Sequence, residues 1–320
     1  MNIFFVNSAF QLIILNKLLI ERSIKSGILV IKKNKSDNYQ LSYEIEKIKE
    51  SRKIKVIYAP NSLLLFNLFS LITFFCQKIF IGDIKSIYYH SAIRFTNSKK
   101  IFFFDDGFSS LLILDLLKNG LPIPILNGGA NLSTKKKLAF EILNIKYKEV
   151  PIDSFTFYSI FADSSFNNVE KITILDNENF LPLNSSSVFL GGKYVDIKIL
   201  NFESYCNAII KAYNIADGDL VYIPHRAESK EFLDKLKKQI PYIVITVIDK
   251  PIELYLIENQ WAPKFVFSIY STALFTLANL FPTSNVYFKS INIELIPNQY
   301  QKSLRSLYHF LTTSQRFISY

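Results

Sequence analysis

Short apolar runs alternate along the chain with segments whose apolar residues recur at helical spacing. Five runs in the first half predict strands, at residues 3–6, 27–31, 55–58, 86–89 and 101–104. The intervening segments predict helices, at residues 10–20, 39–51, from 62 onward, and 109–118. Because strands that alternate with helices form parallel sheets covered on both faces, the pattern predicts a doubly wound α/β domain.

The same alternation resumes in the second half. Strands are predicted at residues 187–190, 220–223, 242–247 and 265–267, and helices at 201–214, 229–238, 251–260, 273–280 and 297–317. Residues 151–186 are rich in Ser, Asn and Asp and contain no long periodic segment, which indicates a junction. We therefore predict α/β domains at 1–150 and 187–296, a linker region at 151–186, and a helical segment at 297–320 that returns to the first domain.

The composition indicates a globular protein of a reducing compartment. Its 320 residues suit two domains, with 49% hydrophobic and 20% charged residues. Cys76 and Cys206 lie far apart in apolar or helical patterns, without the paired spacing of a metal site. The first residues have no charged region or cleavage site, so they predict a strand rather than a signal peptide. A cytoplasmic location is expected.

The net charge of +10 and the pI of about 9.3 favour an anionic partner. Nucleic acid, an anionic membrane surface or an anionic substrate would each satisfy this charge. Nucleic acid ranks last because no nucleic-acid-binding motif accompanies the charge. The longest uncharged stretch, residues 59–77, is interrupted by Pro60 and polar residues, so it predicts a buried or interfacial helix rather than a membrane span.

Two adjacent carboxylates follow the apolar strand at residues 101–104. Asp105 and Asp106 lie at its carboxyl end, where ligands bind in open α/β sheets, and Gly107 supplies a tight turn. Because adjacent acids cannot both ionise freely, one of them is expected to have a pKa raised toward that of a general base. An equally simple interpretation is that one carboxylate caps the helix beginning near Ser109.

Polar side chains also follow strands of the second half: His225, Glu253, Ser268, Ser271 and Thr272. Ser271 and Thr272 precede a helix whose N-terminal N–H groups would suit a phosphate. His225 follows a buried strand directly, where a titrating side chain would face a ligand. The structural alternatives are an N-cap for Ser271 or Thr272, a helix cap for Glu253, and a packing role for His225.

Four segments together resemble bacterial sialyltransferases of glycosyltransferase family 52. The segment 105–107, Asp-Asp-Gly, is similar to their acidic-acidic-glycine motif, and 222–225 is similar to the segment that holds their His-Pro motif. The segments 6–12 and 271–274 extend the likeness across most of the chain. Arg226 departs from the pattern, because the motif has proline there. The resemblance implies the GT-B arrangement, in which two Rossmann-like α/β domains face one another across a cleft.

The resemblance also implies an activity and site roles. It implies inverting transfer of sialic acid from CMP-sialic acid to a galactoside-type acceptor of lipooligosaccharide or capsule, without a metal or other cofactor. Asp106 would deprotonate the acceptor, Asp105 would raise its basicity, and His225 would donate a proton or hydrogen bond to the departing phosphate. Asp196, which also follows a strand, is the rival base.

The remaining candidate residues divide between the donor side and the acceptor side of the site. The donor side would comprise Gly191, Gly192, Glu253 for the ribose, and Ser268, Ser271 and Thr272 for the phosphate. The acceptor side or cleft would comprise Asn7, Ser8 and Gln11.

Two other functions stay open. An enzyme using a different nucleotide sugar, for example an α-glucosyltransferase using a UDP-sugar, would have the same fold. A non-catalytic basic module docking on a membrane would need neither the acids nor the histidine. Peripheral contact with the inner membrane face and a homodimer are further expectations, whereas no motif specifies the acceptor or the linkage.

Overall fold

A computed structural model describes most of the chain as two compact units, Met1–Ile174 and Leu175–Tyr320. The described residues are 1–32, 39–60, 62–83, 87–94, 96, 100–105, 109–121, 155–162, 164–165, 168–173, 183–184 and 186–320. The point of division lies within the junction predicted at 151–186. That region also contains the last two strands of the first unit.

The first unit is built on a seven-stranded parallel sheet in the order β3-β2-β1-β4-β5-β6-β7. Its strands are β1 (Asn2–Val6), β2 (Ser26–Lys32), β3 (Lys53–Ala59), β4 (Lys78–Ile81), β5 (Ile101–Phe104), β6 (Thr156–Ser159) and β7 (Val169–Lys171). Its described α-helices are α1 (Ala9–Glu21), α2 (Tyr39–Ser51), α3 (Leu63–Ser70), α4 (Ile87–Arg94) and α5 (Ser109–Lys118). A 3-10 helix, Leu71–Phe75, continues α3.

The second unit contains a six-stranded parallel sheet in the order β11-β10-β9-β13-β14-β15, and a small pair formed by β8 and β12. The strands are β8 (Leu183–Asn184), β9 (Ser187–Leu190), β10 (Leu220–Ile223), β11 (Val244–Ile245), β12 (Ala262–Pro263), β13 (Phe265–Ser268), β14 (Asn285–Phe288) and β15 (Phe317–Ser319). The α-helices are α6 (Phe202–Ile215), α7 (Lys230–Gln239), α8 (Ile252–Glu258), α9 (Thr272–Leu280) and α10 (Asn298–Thr313).

Both large sheets reverse their direction of strand addition once. In the first sheet β2 and β3 lie on one side of β1 and β4 lies on the other, and β9 is flanked by β10 and β13 in the same way. Each sheet therefore has a switch point, where ligands bind outside the carboxyl ends of the strands. The predicted pair of Rossmann-like α/β domains is confirmed.

Aromatic side chains cross each sheet from strand to strand. Phe4, Phe80 and Phe102 belong to the neighbouring strands β1, β4 and β5, with successive ring centroids 5.3 and 4.6 Å apart. In the second sheet Phe189 stacks on Tyr222 with centroids 5.7 Å apart. These contacts help keep neighbouring strands in register, so that the polar residues at their carboxyl ends occupy fixed positions.

Two local predictions in the first unit differ from the structure. The apolar stretch after residue 62 holds α3, a 3-10 helix and then β4, a strand that the uniform apolar character concealed. The strand predicted at 86–89 is replaced from Ile87 by helix α4. There Tyr89 packs on Phe5 with centroids 5.1 Å apart and donates to the Val6 carbonyl at 3.1 Å. Tertiary contacts therefore outweigh the strand propensity of these tyrosines.

The final segment, expected on the first domain, supplies a strand of the second sheet. β15 pairs with β14, and Lys289 donates to the Tyr320 carbonyl at 3.1 Å. The Arg316 guanidinium donates to the carbonyls of Phe281 (2.7 Å) and Ala278 (3.3 Å) beside the end of α9. Such bonds satisfy carbonyls that a helix end leaves without partners, so they hold this segment on the second unit.

Two further findings concern compartment and reactivity. No helix in the described part of the chain is long and apolar enough to cross a membrane. Cys76 and Cys206 are free and buried, and burial raises the pKa of both thiols. Neither thiol has the lowered pKa of an activated nucleophile.

Candidate functional site

A buried carboxyl group ties two strand ends together in the first sheet. Asp105, directly after β5, is fully buried and accepts hydrogen bonds from the Ser159 hydroxyl (2.8 Å) and the Ile160 amide (2.6 Å) at the end of β6. Desolvation raises the pKa of Asp105 to about 7, while these donors and Ser110 oppose the rise. The Asp105 carboxyl group therefore contacts protein groups rather than an acceptor hydroxyl. Its bonds fix the end of β5 against the end of β6.

Asp106 and Gly107 lie outside the described residues. The assignment of Asp106 as general base stays a prediction, as does the influence of Asp105 on its basicity. Asp105 itself is fixed at the carboxyl end of β5, the edge at which parallel sheets bind ligands.

Polar contacts bridge the first switch point. The Ser8 hydroxyl accepts the Gln11 amide at 3.2 Å and so caps α1. The fully buried side chain of Gln11 accepts the Asn7 amide (2.6 Å) and donates to the Gly82 carbonyl after β4 (3.0 Å). Asn7 also accepts a hydrogen bond from the Tyr89 hydroxyl. Gln11 therefore has a structural task, whereas Asn7 and Ser8 are half-buried at the strand end.

The second sheet carries a carboxyl group that sequence reasoning missed. Glu228 accepts hydrogen bonds from the Tyr222 hydroxyl (2.7 Å) and the His225 amide (2.6 Å). The Tyr205 hydroxyl lies 2.8 Å from that of Tyr222 and accepts the Gly192 amide at 3.3 Å. Because Tyr222 gives its hydrogen to Glu228, the chain of donors runs from Gly192 through both tyrosines to the carboxylate.

Burial sets the protonation behaviour of this network. Desolvation raises the pKa of Glu228 to about 7; the Tyr222 hydroxyl and the His225 amide oppose the rise, and Asp196 adds to it. Desolvation also raises the pKa of Tyr205 and Tyr222 well above the ordinary value. The tyrosines therefore stay protonated, and Glu228 is the member of the network that titrates near neutral pH.

The loop after β10 orients the imidazole of His225. The Glu228 amide donates to the His225 carbonyl (2.8 Å), and the Ala227 amide donates to Nδ1 of the ring (3.2 Å). The residue is exposed, and desolvation, followed by the charges of Arg226 and Lys193, lowers its pKa. Since Nδ1 is an acceptor, the neutral ring carries its hydrogen on Nε2 and presents it as a donor.

Two glycines make room for these side chains after β9. A Cβ on Gly191 would lie 2.4 Å from Oε2 of Glu228 and 2.6 Å from the Tyr222 hydroxyl. A Cβ on Gly192 would lie 2.4 Å from the Tyr194 ring. Glycine is therefore needed for packing at both positions, and donor contact by these residues stays a prediction.

The hydroxyl residues after β13 have different tasks. Ser268 is fully buried and donates to the carbonyl at the end of β9 at 2.9 Å, which joins two strands across the second switch point. Ser271 caps α9 by accepting the Ala273 amide at 3.2 Å, and Thr272 is the first residue of that helix. Because β10 and β13 are parallel strands of one sheet, His225 and the N-terminus of α9 lie at the same edge.

The two remaining acidic candidates have opposite environments. Glu253, in the first turn of α8, is 8% exposed and accepts the Thr276 hydroxyl of α9 at 2.5 Å. Burial raises its pKa. Asp196 is exposed in the turns that follow β9. Glu253 thus joins two helices of the second unit, while Asp196 is accessible to solvent.

The Glu228 network had one weak signal in the sequence. A glutamate three residues after a strand-end histidine can close the intervening loop, as it does here. Its other partners, Tyr222, Tyr205 and Gly192, meet only through strand pairing and helix packing. Tyrosines at those positions are indistinguishable in sequence from ordinary core aromatics.

The two-domain fold has relatives among solved structures, whereas no protein-family model and no curated protein sequence matches the chain. It is similar to a Vibrionaceae Photobacterium sp. JT-ISH-224 2,6-sialyltransferase in complex with CMP and lactose (TM-score 0.51, 13% identity, covering 99% of this chain and 78% of that one). Acinetobacter baumannii MurG is also similar (TM-score 0.45, 8% identity, covering 99% of this chain and 86% of that one). So is E. coli heptosyltransferase WaaC with ADP (TM-score 0.44, 11% identity, covering 98% of this chain and 98% of that one). The chain has a GT-B fold.

The raised pKa values predict that stability falls as pH rises toward 7. The folded protein keeps protons on Asp105 and Glu228 up to about pH 7, whereas the unfolded chain loses them near the ordinary values of 3.8 and 4.5. Unfolding in this window therefore releases protons, so raising the pH lowers the free energy of unfolding until the folded groups also ionise. Chemical denaturation at pH 5 and pH 8 measures the difference.

Replacing either acid should flatten this dependence. The free energy of unfolding at pH 5 exceeds that at pH 8 by a difference that Asp105→Asn should reduce by on the order of 3 kcal/mol. Glu228→Gln should reduce the same difference by a smaller amount. Both amides place N–H groups where acceptors are needed and lower stability at every pH, so the pH slope is the readout. The exposed Asp115→Asn on α5 is the control, and an unchanged slope in both test variants would contradict the prediction.

Proposed function

We propose that the protein is an inverting sialyltransferase that moves sialic acid from CMP-sialic acid to a galactoside-type hydroxyl of a surface glycan, such as lipooligosaccharide or capsule. The GT-B fold and the four family-52-like segments in the order given above support this proposal. A fold neighbour whose complex contains CMP and lactose also supports it.

The observation that carries the proposal is the group of anion-binding features at one edge of the second sheet. His225 follows β10 and presents an Nε2 hydrogen, while the N-terminus of α9 follows β13. Strand β9 lies between them and ends in Gly191-Gly192, whose missing side chains leave room for Glu228, Tyr222 and Tyr194. The helix dipole and the His225 donor favour a negative group, so a nucleotide phosphate suits this edge.

In the proposed reaction the acceptor oxygen attacks the anomeric carbon of sialic acid as the bond to the CMP phosphate oxygen breaks. Asp106 takes the proton of the acceptor hydroxyl, and Asp105 holds the end of β5 in place. His225, Ser271 and Thr272 stabilise the departing phosphate through donated hydrogen bonds. These donors and the N-terminus of α9 stabilise the negative charge of the phosphate, so the proposed mechanism uses no metal. Glu253 is proposed to contact the ribose.

The proposal also includes a cellular setting. The enzyme would work in the cytoplasm with reversible contact to the inner membrane face, to which the net charge of +10 and exposed apolar residues of the first unit would both contribute. A homodimer stays a prediction.

Nucleotide binding and donor hydrolysis test the function directly. CMP should raise the melting temperature of the purified protein more than UDP does, and CMP-sialic acid should be hydrolysed slowly without an acceptor. His225→Ala should weaken CMP binding and reduce turnover, since the imidazole is proposed to contact the phosphate before and during bond cleavage. His309→Ala, an exposed histidine on α10, is the matched control and should leave both unchanged.

Other outcomes identify the alternatives. Stabilisation by UDP but not by CMP would favour a UDP-sugar enzyme such as an α-glucosyltransferase. Binding of neither nucleotide, with no hydrolysis, would favour a non-catalytic basic module. A kinetically silent His225→Ala in a protein that hydrolyses CMP-sialic acid would overturn the role of His225 alone.

The identity of the base is tested by two asparagine variants. Asp106→Asn should lower turnover roughly a hundredfold or more, the usual contribution of a general base, while CMP binding stays nearly unchanged. Asp196→Asn should keep most of the turnover. The reverse result would transfer the role to Asp196.

A further inference from the structure

One side of the first unit exposes a series of large apolar residues. They lie on α3 and the 3-10 helix that continues it, and they are Leu65 (53% exposed), Leu68 (59%), Leu71 (49%), Phe74 (52%) and Phe75 (74%). The opposite side of the same segment is anchored: Phe66, Ser70 and Thr73 are fully buried, and the Thr73 hydroxyl donates to the Ala92 carbonyl at 2.8 Å. We call the exposed series the apolar face. A segment held in this way presents the apolar face outward.

A row of lysines lies along the amino-terminal edge of the same sheet. Lys53 and Lys78 are the first residues of β3 and β4, and Lys25 and Lys100 directly precede β2 and β5. Backbone bonds place them in two neighbouring pairs on either side of β1: the Lys53 amide donates to the Lys25 carbonyl (3.0 Å), and the Ile79 amide donates to the Lys100 carbonyl (3.1 Å). Three of the four are exposed, and Lys78 is half-buried. We call these four residues the lysine row.

Helix ends contribute the other charges at this edge. Glu21 and Glu50 are exposed acids there, and Arg22 pairs with Glu170 at 2.7 Å. Further basic residues stand at the ends of α2 and α5: Lys49, Arg52 and Lys118. Lys49 pairs with Glu46 at 2.8 Å, but among the described residues the basic ones, with the lysine row included, still outnumber the acids at this edge, which gives it a positive potential.

The apolar face and the lysine row meet. The 3-10 helix ends at Phe75 and β4 begins at Lys78, so the apolar face reaches the amino-terminal edge at the row. Apolar side chains that enter the headgroup region, flanked by lysines that contact anionic headgroups, are the two components of peripheral membrane binding.

We propose that the apolar face and the lysine row together form a docking surface for an anionic lipid bilayer. The proposal specifies the surface used in the membrane contact proposed above, and it is independent of the sialyltransferase activity. Lipid fits this surface better than a second copy of the chain does. A symmetric dimer through the same surface would bring two lysine rows against each other, and like charges at an interface oppose association.

Docking by this edge has a consequence for the first unit. In a parallel sheet the amino ends and carboxyl ends of the strands lie at opposite edges. The lysine row occupies one edge, and Asp105 with Asn7 occupies the other. The lysine row would therefore contact headgroups at the edge opposite to the ligand-binding edge of this unit.

Vesicle flotation with matched variants tests the proposal. The full chain should float with vesicles of phosphatidylcholine and phosphatidylglycerol at low salt, and it should lose binding in pure phosphatidylcholine or in high salt. The double variant Phe74→Ser/Phe75→Ser should lower the partition coefficient about tenfold or more, and Lys25→Gln/Lys53→Gln about fivefold for each lysine. Circular dichroism and the melting temperature of each variant without nucleotide report whether it folds.

The controls lie on the second unit. Val247→Gln removes a side chain that is 73% exposed, and Lys211→Gln/Lys238→Gln removes two exposed lysines; both variants should float as the parent does. Flotation of the double phenylalanine variant at the parental level would overturn the proposal. So would failure of the parent to float, or conversion of a dimer to a monomer by the phenylalanine changes without effect on flotation. Each of these results leaves the CMP and hydrolysis tests to be judged separately.

Discussion

In each sheet a carboxylate that has lost hydration fixes the chain at the carboxyl end of a central strand: the buried Asp105 after β5 and the half-buried Glu228 after β10. In a parallel sheet covered on both faces, the chain leaves the core at these ends, and polar groups there must find partners within the protein. Asp105 accepts bonds from the end of β6, while Glu228 joins Tyr222 of β10 to the amide of His225. Both carboxylates lose hydration, and both have a pKa raised to about 7. The positions of the neighbouring site residues depend on these bonds.

The switch points show the same constraint with uncharged groups. Gln11 spans the first one, from the Asn7 amide to the Gly82 carbonyl, and Ser268 spans the second by donating to the carbonyl at the end of β9. A gap between strands at a switch point would otherwise leave backbone groups without partners. Candidate residues at such places therefore divide into those that close the gap, such as Gln11 and Ser268, and those beside it that stay accessible.

Strands bounded by charged or turn residues were predictable, and contacts between distant segments were not. The strands at 101–104, 187–190 and 220–223 have the predicted bounds, since each is a short run, mostly apolar, with a polar or turn-forming residue on either side. Strand β4 was hidden because it follows a long apolar segment with only Gln77 and its own first residue, Lys78, to mark the boundary. Ser8 and Ser271 were recognisable as caps from sequence because a cap acts on the next few amides. The role of Glu228 was not recognisable from sequence, because its raised pKa and its hydrogen bonds depend on how the folded chain surrounds it.

The contacts of His225 favour one of the two leaving-group roles proposed for it. A proton donor at neutral pH would need a protonated ring, which requires a pKa near or above 7. Partial desolvation of this exposed residue and the charges of Arg226 and Lys193 instead lower its pKa. The Ala227 amide donates to Nδ1, so protonation there would place two donors face to face. The neutral ring with its hydrogen on Nε2 is the form these contacts favour. A phosphate with a low pKa also leaves without needing a proton, so a fixed hydrogen bond that strengthens as charge develops is sufficient. In the proposed reaction His225 therefore acts by hydrogen bonding. Glu228 and the loop that contains it hold the His225 donor in place.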